Sequence, residues 1–418
     1  MVWAVAAALG PVVGGALTNN VSWRWCFYLN CKPWPPNTPL GRAWLTVAKT
    51  IVPVTGAASV IIALTLRIHT PKTPLIAGIK AVDWMGSLTI AGSTIMLLLG
   101  LQLGGAFYPW DSATVICLLV FSIVTLGVFV VVEWRVARYP ILPLHLFANI
   151  ANVATLLVVF CHGIVFTQGA YFLPMYFQSV LGAPALLSGV WLLPFAVSLS
   201  LMSMVTGIYI KVTGRYLDPI RLGFVLTVLG SGLWYILPRT TSWAKIIIFQ
   251  IITGIGVGAN FQPPLIALQS NVPAQNNASA TAAFSLMRNV ASAVAVVTGS
   301  VAFSNRMSAQ QDMLRSVVGD AVAGLLSGDK VQGNLFVVNT LDESQQRIIR
   351  DAFFRAMRDV WVETVCFAAA GLLACLLIPN KKLDKQHVEV KTGLEGEEAR
   401  RKIAEERKMK KEKGESKV

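Results

Sequence analysis

The chain has 418 residues, of which 55% are hydrophobic and only 13% charged, and it carries a formal net charge of +14. Soluble proteins carry roughly 25% charged residues, so this balance excludes a soluble fold and points to an all-α integral membrane protein. The basic excess is spread over loops and tail, with no basic module interleaved with aromatics; this excludes a nucleic-acid partner and fits orientation in a lipid bilayer.

About ten stretches have the length and apolarity of a span: 1–18, 50–67, 84–104, 112–134, 151–178, 187–210, 219–238, 243–268, 279–304 and 360–379. The first sets Ala6, Gly10 and Gly14 in one row at helical spacing, with Ala7, Pro11 and Gly15 in the next. Rows of small residues let membrane helices approach closely, and Pro11 has no N–H for the carbonyl of Ala7, which bends the helix. Such a helix either closes one side of an alternating-access carrier or is one half of a tight structural pair. Asn20-Val21-Ser22 is a glycosylation sequon. Residues 31–49 include Pro33, Pro35, Pro36 and Pro39, which forbid a helix.

Polar links around Arg67-Ile68-His69-Thr70-Pro71-Lys72 and Lys80 to Asp83 separate the span at 50–67 from a pair at 84–104 and 112–134. Glu133 to Pro140 then leads into six more spans. Arg67, Lys72, Lys80, Arg135, Arg138, Lys211, Arg215 and Arg221 fall on one side, which the positive-inside rule makes cytoplasmic. In the long segment 305–359, apolar residues recur at helical spacing from Met313 to Leu326 and from Ile348 to Val360. The second run follows a capping-box pattern from Thr340 to Glu343. Two amphipathic helices are expected there, separate from the last span. The tail beyond Pro379 is rich in both charge signs and reads as solvated.

Cys117, Cys161, Cys366 and Cys375 sit in apolar runs, where a thiol is a small hydrophobe; Cys26 and Cys31 flank one loop, free or paired. No metal-ligand spacing, phosphate loop, HExxH or nucleophile triad occurs, so no metal, cofactor or enzymatic activity is expected.

Polar residues inside spans are costly and mark function or helix-to-helix hydrogen bonds. His162 and Gln168 share one span, six residues apart. His162 either relays a proton or is a satisfied structural residue. Gln250 opens a Gly-rich, Pro-broken stretch that runs through Asn260 and Gln262 to Pro263-Pro264. Asn260 and Gln262 either face a polar cavity or bond between helices. Arg288, beside Ser285 and Asn289, lies in the ninth span, and Glu363 begins the tenth. No pair of intramembrane carboxylates is present. Between the sixth and seventh spans, Gly207-x(6)-Gly214-Arg215 offers a tight turn and a cation at a helix end.

Gly10-Pro11-Val12-Val13-Gly14-Gly15, followed by Trp23-Arg24-Trp25 and Phe27-Tyr28-Leu29-Asn30, resembles the antiporter motif on the fifth span of the major facilitator superfamily's fourteen-span drug:proton antiporters, and most closely the fungal multidrug and toxin exporters. Gly207, Gly214 and Arg215 resemble the second-bundle copy of that family's cytoplasmic loop motif. Gln250 stands where the first-bundle counterpart carries an Arg linked to proton coupling. The resemblance implies a major facilitator fold. Its parts are a remnant of the first bundle at 1–67 with an insertion at 31–49, an inserted hairpin at 68–135, a complete second six-helix bundle at 136–379 including the outer loop 305–359, and a cytoplasmic tail at 380–418. It further implies that the first four spans are missing. The implied function is proton-coupled export of amphipathic small molecules, with substrate and protons as partners, in the plasma membrane or alternatively the vacuolar membrane. A siderophore or nutrient uptake carrier of the same fold, and an inactive truncated pseudotransporter, remain the alternatives. His162, Gln168, Gln250, Asn260, Gln262 and Arg288 are the candidates for the substrate or proton path.

Overall fold

A computed structural model describes residues 82–104, 108–137, 146–240, 242–273, 276–328 and 330–381, together with Gly10, Gly14, Gly15, Thr18, Gly56, Val60 and Ile76. Pro11, the Trp23 to Asn30 stretch, the sequon at Asn20, Cys26 and Cys31, most of the segment 31–80 and the tail beyond Lys381 lie outside the described residues. The chain forms two units, Met1–Asn20 with Asp83–Lys385, and Val21–Val82 with Gln386–Val418. Almost all described residues belong to the first.

The first unit opens with an antiparallel pair, α1 (Trp84–Leu103) and α2 (Ala113–Val131). Each starts where a side chain accepts an orphan N–H of the first turn. Asp83 accepts from Gly86 at 2.8 Å and Ser112 accepts from Val115 at 3.3 Å. The Ser93 hydroxyl donates to the Ser122 carbonyl at 2.8 Å, tying the pair at mid-length. α2 ends in one π turn, Val132–Val136.

The remaining helices are α3 (Ile150–Ser179), α4 (Ala185–Trp191), α5 (Leu193–Thr213), α6 (Leu217–Tyr235), α7 (Trp243–Ala259), α8 (Pro263–Ser270), α9 (Asn277–Ser308), α10 (Gln311–Leu325), α11 (Lys330–Gly333) and α12 (Glu343–Cys375), with a 3-10 turn at Leu335–Thr340. Short connections make successive long helices antiparallel. α4–α5 and α7–α8 are each a single span broken by proline. Among the described residues, Trp84–Leu103, Ala113–Val136, Ile150–Ser179, Ala185–Thr213, Trp243–Ser270 and Asn277–Ser308 are long and apolar enough to cross a membrane. α6 and α12 pack among them.

The surface of this bundle is apolar. Val124 of α2, Leu201, Ile208 and Val212 of α5, Leu222 of α6 and Leu373 of α12 are all exposed, while His162, Gln168, Thr227, Gln250 and Asn260 are buried. In water that arrangement would be an aggregation hazard; in lipid it is what a helix bundle requires.

Glycine sets the packing of the central helices. A Cβ on Gly256 of α7 would sit 2.5 Å from the Thr227 nitrogen of α6. One on Gly254 would sit 2.8 Å from the Phe195 carbonyl of α5. The Gly-rich stretch thus brings one helix into backbone contact with a neighbour on each side.

The outer segment differs from expectation. α12 is one helix from Glu343 to Cys375, so the expected second amphipathic helix and the last span are continuous. The physical reason lies in the sequence: no Gly or Pro interrupts 343–370, and Ile349, Phe353, Ala356, Val360, Thr364, Ala368 and Gly371 keep one buried face in phase. The capping box is also absent. Asp342 takes the N-cap position, and the Thr340 hydroxyl donates back to Val337 at 2.8 Å. α10 does form, with a turn at Gly319, where φ is +77°. Ion pairs Arg239–Asp351 at 3.0 Å and Arg306–Asp359 at 3.6 Å fasten the protruding half of α12 to this end of the bundle. At the opposite end the Tyr216 hydroxyl donates to the Pro379 carbonyl at 3.3 Å.

Candidate functional site

The site is built from the places where the spans break. In a regular α-helix the Val257 carbonyl would accept from the Phe261 N–H. Here the chain tightens ahead of Pro263 and Pro264, and Phe261 donates instead to Gly258 at 3.3 Å. The Val257 carbonyl accepts the Asn260 N–H at 3.1 Å and is also met at 2.9 Å by Nε2 of His162, from α3. The second break has the same logic. Phe195 donates to Leu192 rather than to Trp191, and the Trp191 carbonyl takes the Gln250 amide at 2.9 Å. The Gln250 amide also reaches Ile246, one turn back, at 3.1 Å. Broken backbone in lipid persists only where its polar groups find partners; His162 adds a second bond to the Val257 carbonyl, and Gln250 meets the Trp191 carbonyl.

Around the α7–α8 break lies an aromatic layer. The Arg288 guanidinium of α9 stands 3.7 Å over the Phe261 ring and 6.0 Å from that of Phe166. Phe261 meets both His162 and Phe166 edge-on, at 6.1 and 6.0 Å between centroids. Arg288 is half-buried and forms no ion pair among the described residues. Its charge rests on aromatic faces, an interaction that strengthens as water is removed. Asn260 is buried and donates to Gly256 at 3.1 Å, but its side-chain oxygen has no partner. Gln262 is exposed, and so are Ser285 and Asn289.

A second polar layer lies further along α9. Thr298 is ten residues from Arg288, about 15 Å at the helical rise. Its hydroxyl contacts a carboxyl oxygen of Glu363, from α12, and lies 2.9 Å from the Val294 carbonyl. Gln168 of α3 is fully buried and turned to the same carboxyl, with neither amide atom in a well-formed hydrogen bond. Between the layers Thr167 donates to Ser292 at 2.9 Å. The structure therefore brings Gln168 to Glu363, and His162 to Arg288 through Phe261. Gln250 lies apart, at the other break.

Glu363, which the sequence places at the start of the tenth span, is not among the path candidates read from it. The available signal was a lone carboxylate in the apolar run Val360-Trp361-Val362-Glu363-Thr364-Val365-Cys366-Phe367. It reads as the start of a span only if α12 is cut at Val360.

The glycine motifs are placed as follows. A Cβ on Gly10 or Gly14 would meet nothing within 4 Å, and Gly10 is exposed. The close approach falls on Gly15, whose Cβ would lie 2.6 Å from the Ala185 carbonyl of α4. Gly207 is exposed with open space around it. Gly214 ends α5 in the left-handed region, with φ +70°, and its N–H donates to Ile210 at 2.8 Å. Arg215 is exposed, 3.9 Å from Asp218 at the start of α6, and the Tyr209 hydroxyl donates to the same Asp218 at 2.9 Å.

A cavity of about 400 Å³ lies on the other side of α9, against α1 and α3. Gln102, Tyr171, Ser300, Asn305 and Gln332 supply its polar lining and Leu98, Val297 and Val301 an apolar part.

An apolar exterior, proline-broken spans and a polar interior holding single charges define a polytopic α-helical membrane protein with a functional core. Residues 53–296 match the Major Facilitator Superfamily, and the chain belongs to that family. It is 44% identical to the MFS-type transporter ppz2 of Metarhizium majus, over 96% of this chain and 66% of that protein. It is 43% identical to the efflux pump dotC of Dothistroma septosporum, over 95% and 64%. It is 38% identical to an MFS-type transporter of Aspergillus terreus, over 96% and 72%. The chain thus spans about two thirds of the length of these relatives. A bacterial homologue of the human lysosomal transporter Spinster aligns with 90% of this chain and 81% of its own, at 14% identity and a TM-score of 0.45.

Proposed function

We propose that the protein is a transporter that exports amphipathic small molecules across the plasma membrane, driven by inward proton movement. The observation that carries this reading is the pair of single charges in the bundle interior. Arg288 and Glu363 are each half-buried, are on different layers, and have no ion-pair partner among the described residues. A purely structural bundle has no use for them, because uncompensated charge inside a membrane is expensive and typically marks a substrate or ion path. Arg288, seated on Phe261 and Phe166, suits a flat apolar body bearing an acceptor or an acid group. The amphipathic cavity beside α9 has the size of a small-molecule site. The efflux-pump name of one relative supports export as the direction.

The test uses cells expressing the 418-residue chain and loaded with anionic fluorescein. The expected result is energy-dependent loss of dye that a protonophore abolishes, reduced at least tenfold by Arg288→Leu. Dye retention equal to that of cells lacking the chain overturns export, and energised dye accumulation moves the reading to uptake.

A further inference from the structure

Thr298 has one hydroxyl proton and two acceptors in reach, the Val294 carbonyl one turn back and the carboxyl of Glu363. A hydroxyl donates once and accepts twice. Two arrangements therefore fit the same heavy-atom positions. In one, Glu363 is ionised and accepts the Thr298 proton. In the other, Glu363 is protonated and donates to the Thr298 oxygen, while the Thr298 proton turns to Val294. Gln168 has the same ambivalence. Its NH2 suits a carboxylate and its carbonyl suits a carboxylic acid, and both atoms are buried with no hydrogen-bond partner in the structure.

We propose that Glu363, hydrogen-bonded to Thr298 of α9, is the group that takes up and releases the transported proton. The inference rests on the proton-coupled reading above and assigns it a residue. The proton is bound to and lost from one carboxyl oxygen, with no other bond made or broken. Among the described residues no fixed charge locks the carboxyl in one state. On α3, His162 is engaged with the Val257 carbonyl. On α9, Arg288 sits on Phe261 and Arg306 is paired with Asp359. On α12 itself, Arg358 stacks on Tyr235 of α6 at 3.9 Å. On α10, Arg315 pairs with Asp320. Among the described residues no cation pairs with the carboxyl, and Thr298 can donate to its ionised form or accept from its protonated one.

The test uses the full chain in proteoliposomes, with fluorescein as probe. Wild type should transport against its gradient when an imposed pH gradient drives protons the other way. Glu363→Gln keeps the shape and hydrogen bonding but cannot exchange a proton. It should lose at least tenfold of the gradient-driven rate, and Glu363→Asp, which keeps a titrating carboxyl, should retain part of it. Thr298→Val, which leaves the carboxyl in place, should shift the pH midpoint of transport. A carboxylic-acid infrared band that titrates in wild type should be absent in Glu363→Gln, a readout independent of transport. Gradient-driven transport by Glu363→Gln at the wild-type rate, or an unchanged titrating band, overturns the assignment while leaving proton coupling standing. A wild-type rate indifferent to the pH gradient overturns the coupling itself. A rate that follows a sodium gradient and is lost in Glu363→Gln overturns the proton as the ion.

Discussion

Nε2 of His162 and the carbonyl oxygen of Val257 lie 2.9 Å apart, bridging α3 to the point where the α7–α8 span breaks. The same carbonyl accepts the Asn260 N–H at 3.1 Å, so the histidine supplies the second of its two hydrogen bonds. His162→Leu removes that second bond and should lower stability by about 0.5–1.5 kcal/mol. His162→Gln, which can still donate, should recover much of that loss. Thermal unfolding in detergent reads both. Because the ring is used structurally, the pH profile of transport by His162→Gln should match wild type; a displaced profile would make His162 part of the proton path.

Gln250 does for the α4–α5 break what His162 does for α7–α8. Gln250→Leu orphans the Trp191 carbonyl, and a loss of about 1–3 kcal/mol is expected by the same measurement. Gln250→Glu tests the site further. Burial against two carbonyl acceptors favours its protonated form, which offers one O–H where the amide offers two N–H, so it should fall between wild type and Leu.

Glycine substitutions should separate sharply by place. Gly256→Val would push a side chain into the Thr227 backbone, and overpacking of this kind costs about 1–3 kcal/mol. Gly207→Val faces open space and should change stability by no more than about 0.5 kcal/mol. Gly214→Ala falls between them: its φ of +70° strains any L side chain by about 1–2 kcal/mol. Melting temperatures of the three variants in one detergent rank them directly.

In the first motif, Gly15→Leu should impair transport more than Gly10→Leu, because a Cβ on Gly15 would meet the Ala185 carbonyl while one on Gly10 would meet nothing within 4 Å. Equal loss in both variants, measured by protonophore-sensitive dye efflux, would mean that the motif acts through a face other than the one packed on α4.

Arg288 depends on its aromatic seat. Phe261→Leu keeps apolar bulk but removes the π face 3.7 Å below the guanidinium, an interaction of about 0.5–2 kcal/mol. Fluorescein affinity in the transport assay should fall several-fold, with Phe261→Tyr close to wild type.

Much of this was legible in the residues. The apolar runs gave the spans, and Gly214 gave the turn between α5 and α6. His162, Gln168, Gln250, Asn260 and Arg288 stood out because a polar residue in lipid needs a reason. What they met was not legible. Val257, the partner of His162, is 95 positions away, and a carbonyl that takes a second partner at a kink leaves no mark in a residue string. Gln262, ranked with Asn260, is exposed because the break turns it outward. Glu363 was overlooked because Ile348–Val360 looked amphipathic and the run after it looked apolar, and the pattern suggested two helices where there is one.

The sequence alone determined that this is a helical membrane protein of the Major Facilitator kind, because composition and span length depend only on which residues are present. The tertiary structure decided which polar groups caps a broken helix and which stands unpaired in the interior. That choice depends on where distant helices cross, and in a bundle held by backbone-close glycine contacts those crossings are set by packing rather than by order along the chain.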